Sequence, residues 1–142
     1  MALLNTYLNF NGNTEEAFSF YKSVFGGEFQ LLSRFEDNPG ACEGLPEGEH
    51  KGIMHVALPI GKHSLLMGTD VPSVMPQVIT GTNMSISVDA DSRDEADRLF
   101  AGLAEGGTIQ MPLQTMFWGA YFGMLTDKFG IQWMMNFDDR QH

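Results

Sequence analysis

The chain has 142 residues, 43% hydrophobic and 18% charged, and its 18 acidic against 8 basic side chains give a formal net charge of −10. This is the composition of a globular protein with one sizeable core, and it excludes a disordered or fibrous chain. The acidic excess carries no basic stripe, which speaks against nucleic acid and anionic membrane surfaces, and no apolar run is long enough to span a bilayer.

Leu3–Phe10 predicts a strand. Leu4, Thr6, Leu8 and Phe10 alternate with Asn5, Tyr7 and Asn9, giving one mostly apolar and one polar face. Asn13 reads as a helix cap with Glu16 three positions on. Ala17, Phe18, Tyr21, Val24 and Phe25 follow at helical spacing, and Gly26-Gly27 stops the helix. Glu28–Phe35 reads as a strand. The loop Glu36–Lys51 carries Glu36, Asp37, Glu43, Glu47 and Glu49 without the regular spacing of a calcium loop, so it reads as a solvated lid or dimer-edge loop. Cys42, the single cysteine, lies there without an activating base and reads as a bystander. It excludes an internal disulfide and, with no signal-peptide pattern at the N-terminus, sets the expectation of a cytoplasmic protein. Strands are expected at Ile53–Leu58 and His63–Thr69 around a Gly61-Lys62 turn. In the first, Met54, Val56 and Leu58 form the apolar face, leaving His55 and Ala57 on the other.

Residues 71–81, with Pro72, Pro76 and Gly81, read as a linker. Thr82–Asp89 then rewrites the first strand, with Met84, Ile86 and Val88 against Asn83, Ser85 and Ser87. Ser92 and Glu95 open a second helix over Ala96, Leu99, Phe100 and Leu103, stopped at Gly106-Gly107. Strands at Thr108–Leu113, Trp118–Thr126 and Ile131–Phe137 complete the half, with Asp127–Gly130 turning between the last two. Each half runs strand, helix, three strands. The chain is therefore an internal duplication, modules 1–70 and 82–138, expected to share one sheet system in a single domain over 1–142.

Tyr7-Leu8-Asn9-Phe10 with Ala17–Tyr21 and Val24-Phe25-Gly26-Gly27, Met54-His55-Val56 with Leu65–Asp70, and above all Phe117-Trp118-Gly119 with Asp127–Trp133 carry a family likeness. The chain resembles the PhnB-like branch of the vicinal oxygen chelate superfamily, which holds glyoxalase I, extradiol dioxygenases and bleomycin-resistance proteins. The resemblance implies an α+β fold of two βαβββ modules whose mixed sheet forms a cup with helices outside, and a homodimer. It also implies one divalent metal held by four side chains, usually His and Glu, from the first and last strands of each module.

Those positions fall at Asn5, Met67, Asn83 and Met134. An amide oxygen is a weak ligand and a thioether a soft one that prefers copper(I), so the set lacks the donors Zn²⁺, Fe²⁺ or Mn²⁺ requires. Shifting by one residue offers Leu4, Thr6, Leu66 or Met135. The expectation is no metal and no cofactor. A methyltransferase label attached to this branch finds no glycine-rich strand-to-helix turn in the chain.

His55, facing the implied cup, is the group suited to proton abstraction near neutral pH; the plainer role is to hydrogen-bond and orient polar groups. Asn5, Tyr7, Met67, Asn83, Ser85, Trp118, Tyr121, Gln132, Met134 and Asn136 are the ligand-binding candidates, Trp118 and Tyr121 as aromatics at the cup's mouth. Trp133 should face the helices. His63 and His142 read as solvent-exposed. The leading reading is metal-independent binding or sequestration of a small organic molecule, as in bleomycin-resistance proteins. The competing one is a metal-free enzyme with His55 as base and Asn5, Asn83, Ser85 or Tyr121 orienting the substrate; a metal-dependent lyase, isomerase or dioxygenase with displaced ligands is the third.

Overall fold

The computed structural model describes residues 2–139, and the chain divides between Ile79 and Thr80 into two compact units. The first holds β1 (Thr6–Phe10), α1 (Thr14–Phe25), β2 (Leu31–Arg34), β3 (Ile53–Ile60) and β4 (Ser64–Asp70). The second holds β5 (Ile86–Asp89), α2 (Arg93–Ala104), β6 (Thr108–Thr115), β7 (Tyr121–Thr126) and β8 (Gln132–Phe137). The strand orders are β1-β4-β3-β2 and β5-β8-β7-β6. β1 runs parallel to β4 and β5 to β8, and the other neighbours are antiparallel. The duplication is therefore a repeat of topology, in an α+β fold of two mixed four-stranded sheets with one helix each. Strand pairing stays inside each unit among the described residues. No helix among them is long and apolar enough to cross a membrane.

Each helix covers one face of its own sheet. Ala17, Phe18, Tyr21 and Val24 of α1 are buried, as are Leu8, Phe10, Val56, Leu58 and Leu66 on the sheet. In the second unit the buried set is Ala96, Leu99, Phe100 and Leu103 of α2 with Leu125, Trp133 and Met135. A large side chain buried this way contributes about 1.5–3 kcal/mol, so the helix faces dominate the stability of each unit. Phe18 seats directly on Gly68: a Cβ there would lie 2.6 Å from Phe18 Cε1.

The two helix starts differ. At α2, Ser92 Oγ accepts from the Glu95 N–H at 3.0 Å and the Glu95 carboxylate accepts from the Asp91 N–H at 2.8 Å. At α1, the Asn13 side chain makes no cap bond. The buried Asp70 carboxylate replaces it, taking the Thr14 N–H at 2.9 Å and, with its other oxygen, the Ile53 N–H at 2.8 Å. A full carboxylate bridging two elements satisfies two buried donors, which a local amide cannot do.

Several boundaries also move. β1 starts at Thr6, because the ladder with β4 begins at Thr6 opposite Leu66; Leu3 and Leu4, 82% and 99% exposed, have no core beneath them. β5 starts at Ile86, opposite Trp133, since β8 itself begins at Gln132. β2 is confined to Leu31–Arg34, and the acidic loop after it folds into three short 3-10 turns. Trp118 and Gly119 lie in the β6–β7 hairpin turn, not in a strand: the Gly119 N–H donates to the Met116 carbonyl at 2.9 Å and Gly119 takes a φ of 99°. In β3 one extra residue is inserted between the pairs Arg34–Ile53 and Ser33–His55. That bulge turns Ile53 into the core beside Val56 and Leu58, where the sequence pattern placed Met54.

Candidate functional sites on the open sheet faces

The face of each sheet turned away from its helix carries the polar residues. In the first unit, ladder pairing puts Tyr7, Met67, Ala57 and Leu31 in one row, and beyond it pairs Asn9 with Thr69 and Ser33 with His55. Tyr7 crosses β4 diagonally toward His55. Its hydroxyl lies 2.9 Å from His55 Nδ1, and the two rings stack with centroids 5.6 Å apart at 28°. Burial raises the Tyr7 phenol above its ordinary value, with the interaction with the Thr69 side chain working against the rise. Thr69 also closes the β3 bulge, its hydroxyl donating to the Met54 carbonyl at 2.8 Å. No described residue hydrogen-bonds His55 Nε2.

In the second unit the open face has three rows. Thr126 and Gln132 form the first; Met111, Met124, Met134 and Ser87 the second; Gln114, Phe122, Asn136 and Asp89 the third. Gln132 Nε2 donates to the Met84 carbonyl at 2.5 Å, Gln110 Nε2 to Thr126 Oγ1 at 2.8 Å, and Asn136 Nδ2 to Asp89 Oδ1 at 3.2 Å. The Trp118 ring meets Phe122 edge-on at 6.3 Å and Phe117 at 4.9 Å.

The expected residues thus divide. Tyr7, His55 and Met67 share the first unit's open face, and Gln132, Met134 and Asn136 the second's. Trp118 reaches the latter from the hairpin turn. Tyr121 does not: it belongs to the helix-side set with Gly123 and Leu125. Its hydroxyl donates to Asp97 Oδ1 on α2 at 2.5 Å, and the Arg93 guanidinium lies 4.3 Å from the centre of its ring. The bond to Asp97 holds the Tyr121 phenol above its usual value. Asn5 and Asn83 are exposed and precede their strands. Counting back from the equivalent pairs Tyr7–Met67 and Ser87–Met134, the counterpart of Asn5 is Ser85, not Asn83. Trp133 is core, as expected, with its indole N–H on the buried Asp127 carboxylate at 2.8 Å. His63 is exposed, Cys42 is half-buried, and His142 lies outside the described residues. Asp89 and Met124 share the second unit's open face and were not among the expected residues. Asp89 had a legible signal, since it shares the odd-numbered parity of Ser85 and Ser87.

The donor set at the metal positions the resemblance implied does not fit a divalent ion. Asn5, Met67 and Met134 with either Asn83 or Ser85 offer neither imidazole nor carboxylate. Among the described residues no three His, Cys, Asp or Glu side chains group together as a metal centre.

Residues 3–135 match the family model of the glyoxalase/bleomycin resistance protein/dioxygenase superfamily. Protein YjdN of Escherichia coli (strain K12) is 31% identical over 140 residues, 94% of this chain and 93% of that protein. The crystal structure of protein PA1353 from Pseudomonas aeruginosa is 42% identical with a TM-score of 0.83, over 97% of this chain and 98% of that one. A Bacillus cereus structure described as a putative 3-demethylubiquinone-9 3-methyltransferase, PhnB protein, is 30% identical with a TM-score of 0.76, over 96% and 99% of the two chains.

Proposed function

The chain belongs to the glyoxalase/bleomycin resistance protein/dioxygenase superfamily, and on that premise we propose that it binds a small organic molecule on its open sheet faces without a metal. The observation that carries this reading is the Tyr7–His55 pair. A phenol and an imidazole are joined on the sheet face turned away from α1, with the second imidazole nitrogen left for a ligand. Met67, Met124 and Met134 add adaptable apolar surface beside polar groups, the mixture small-molecule sites use. Methyltransferase activity, which the description of the B. cereus protein suggests, is not part of this proposal. The β1–α1 connection is Asn11-Gly12-Asn13 and the β5–α2 connection Ala90-Asp91-Ser92, neither a glycine-rich cofactor loop. A homodimer and a cytoplasmic location remain part of the proposal, resting on the resemblance and, for location, on the single cysteine.

A second reading, acid–base catalysis at His55, is favoured by the same bond. If His55 Nδ1–H donates to the Tyr7 oxygen, Nε2 keeps its lone pair and can take a proton from a bound molecule. If Tyr7 donates instead, Nε2 carries hydrogen and acts as a donor that orients the ligand.

A thermal-shift screen of small organic molecules on the wild type and on His55→Ala tests both. Binding with the compound recovered unchanged supports the leading reading. Turnover by the wild type, lost in His55→Ala while binding persists, establishes the enzyme. A screen in which no compound shifts the transition removes the binding reading. Stoichiometric Zn, Fe or Mn in the purified protein overturns its metal-free part.

A further inference from the structure

We propose that the open face of the second unit is a site for an organic cation with an apolar body, its charge met by the Asp89 carboxylate and its body by Phe122 and Trp118; this deepens the binding reading above and rests on it. Of the strand residues on that face, Asp89 alone carries a charge. Asn136 Nδ2 holds one of its oxygens at 3.2 Å. No described lysine or arginine pairs with it, and no described donor takes the other oxygen. The neighbouring amides are oriented in the same sense. Gln132 commits an N–H to the Met84 carbonyl and Asn136 commits one to Asp89, while neither side-chain oxygen accepts a hydrogen bond from a described residue. The face thus presents acceptors and a negative charge to whatever lies on it.

The surroundings select an organic cation over a bare metal ion. Phe122 lies in the same ladder row as Asp89 with Asn136 between them, and Trp118 stands edge-on to Phe122, so two aromatic rings continue the row that the carboxylate begins, within the span of one organic molecule. A ring face attracts an ammonium or a delocalised cation through its quadrupole, and this adds to the carboxylate's attraction where water is partly displaced. Met124 and Met134 line the adjacent row with polarisable apolar surface. One carboxylate among thioethers and amides is too poor a donor set for Ca²⁺ or Mg²⁺. Anionic ligands are opposed both by Asp89 and by the overall charge of −10.

The test uses three dyes on the full chain. They are thioflavin T, a benzothiazolium cation; its uncharged analogue lacking the ring N-methyl; and the anion 8-anilinonaphthalene-1-sulfonate. Titrations by fluorescence are run on the wild type, Asp89→Asn, Phe122→Leu and, as a control for overall charge, Glu43→Gln in the exposed acidic loop. Thioflavin T is expected to bind about tenfold tighter than its uncharged analogue, and Asp89→Asn to abolish that preference. Phe122→Leu, with its fold checked by circular dichroism, should weaken the cation as well. Glu43→Gln should change affinity less than about twofold. Equal effects of Asp89→Asn and Glu43→Gln, or equal binding of charged and uncharged dyes, overturn the cation site. Binding of the anion or the uncharged dye without the cation overturns it too while the small-molecule reading stands. If none of the three dyes binds, the cation site falls, and the thermal-shift screen alone decides the small-molecule reading.

Discussion

The Tyr7 hydroxyl and His55 Nδ1 meet at 2.9 Å across an intervening strand, because β4 runs between β1 and β3 and Tyr7 reaches over it. Tyr7→Phe removes this partner and keeps the ring stack. The pair is partly exposed, so the loss of stability should be near the low end of about 0.5–1.5 kcal/mol. The imidazole should respond more strongly: ¹⁵N spectra of His55 are expected to show a change in tautomer balance in Tyr7→Phe. An unchanged His55 spectrum would mean the bond does not set the tautomer.

Asp70→Ala should cost far more than removal of the adjacent Asn13 side chain. It leaves the buried Thr14 and Ile53 N–H groups without an acceptor and uncaps α1, for an expected loss of about 2–4 kcal/mol. Asn13→Ala, at the position the sequence pattern marks as the cap, should cost less than about 0.5 kcal/mol, since its side chain makes no cap bond. Urea unfolding of the two variants checks the order; the reverse order would return the cap to Asn13.

Gly68→Ala should also destabilise, by about 1–3 kcal/mol. The added methyl would meet Phe18 Cε1 at 2.6 Å and the Leu8 carbonyl oxygen at 3.0 Å, so α1 must lift from the sheet. Restoring room with Gly68→Ala plus Phe18→Leu should recover part of the loss in the same unfolding assay.

The repeat was legible because two independent periodicities, strand alternation and helical spacing, recur with glycine stops at matching places. What failed was local. Alternation continues through Leu3–Asn5 and Thr82–Ser85 beyond the ladders, since a pattern of side chains does not say where a partner strand ends. The β3 bulge shifts parity by one residue, so Ile53 takes the buried place read for Met54. Asp70 was hidden as a cap because it lies 56 residues from Thr14, while Asn13 had the right local spacing. The site was half legible. Tyr7 and His55 came from parity and Met67 from the resemblance, but their pairing depends on strand order, and Tyr121 was lost to a bond with Asp97 on the helix.

Acidification should expose the Glu15–Arg34 pair. Arg34 hydrogen-bonds both Glu15 oxygens, at 2.9 and 2.6 Å, which holds the Glu15 carboxyl below its ordinary value. A depressed carboxyl stabilises the fold above its unfolded pKa and loses that contribution as pH falls through the folded one. Both side chains are substantially exposed, so the contribution is at most about 1 kcal/mol and is screened by salt. Wild type and Glu15→Gln should therefore differ in urea midpoint at pH 7 and converge below about pH 4, near the ordinary glutamate value. A difference that persists at low pH would assign the effect to packing.

At the alkaline end the sign reverses, and Tyr121 is the group that shows it. Its bond to Asp97 favours the neutral phenol, because ionisation would set a phenolate against a carboxylate. A raised acid stabilises the fold below its unfolded pKa, and the contribution fades as pH rises through the folded value. The wild type should then lose stability above about pH 10 more steeply than Tyr121→Phe, whose ring keeps the Arg93 contact but cannot ionise. Tyr7, also raised, titrates in both proteins and cancels in the comparison. Asp97→Asn separates the causes: with the carboxylate gone, absorbance near 295 nm should report the Tyr121 phenol ionising at lower pH than in the wild type. If the two titration curves coincide, the hydrogen bond to Asp97 does not hold the proton.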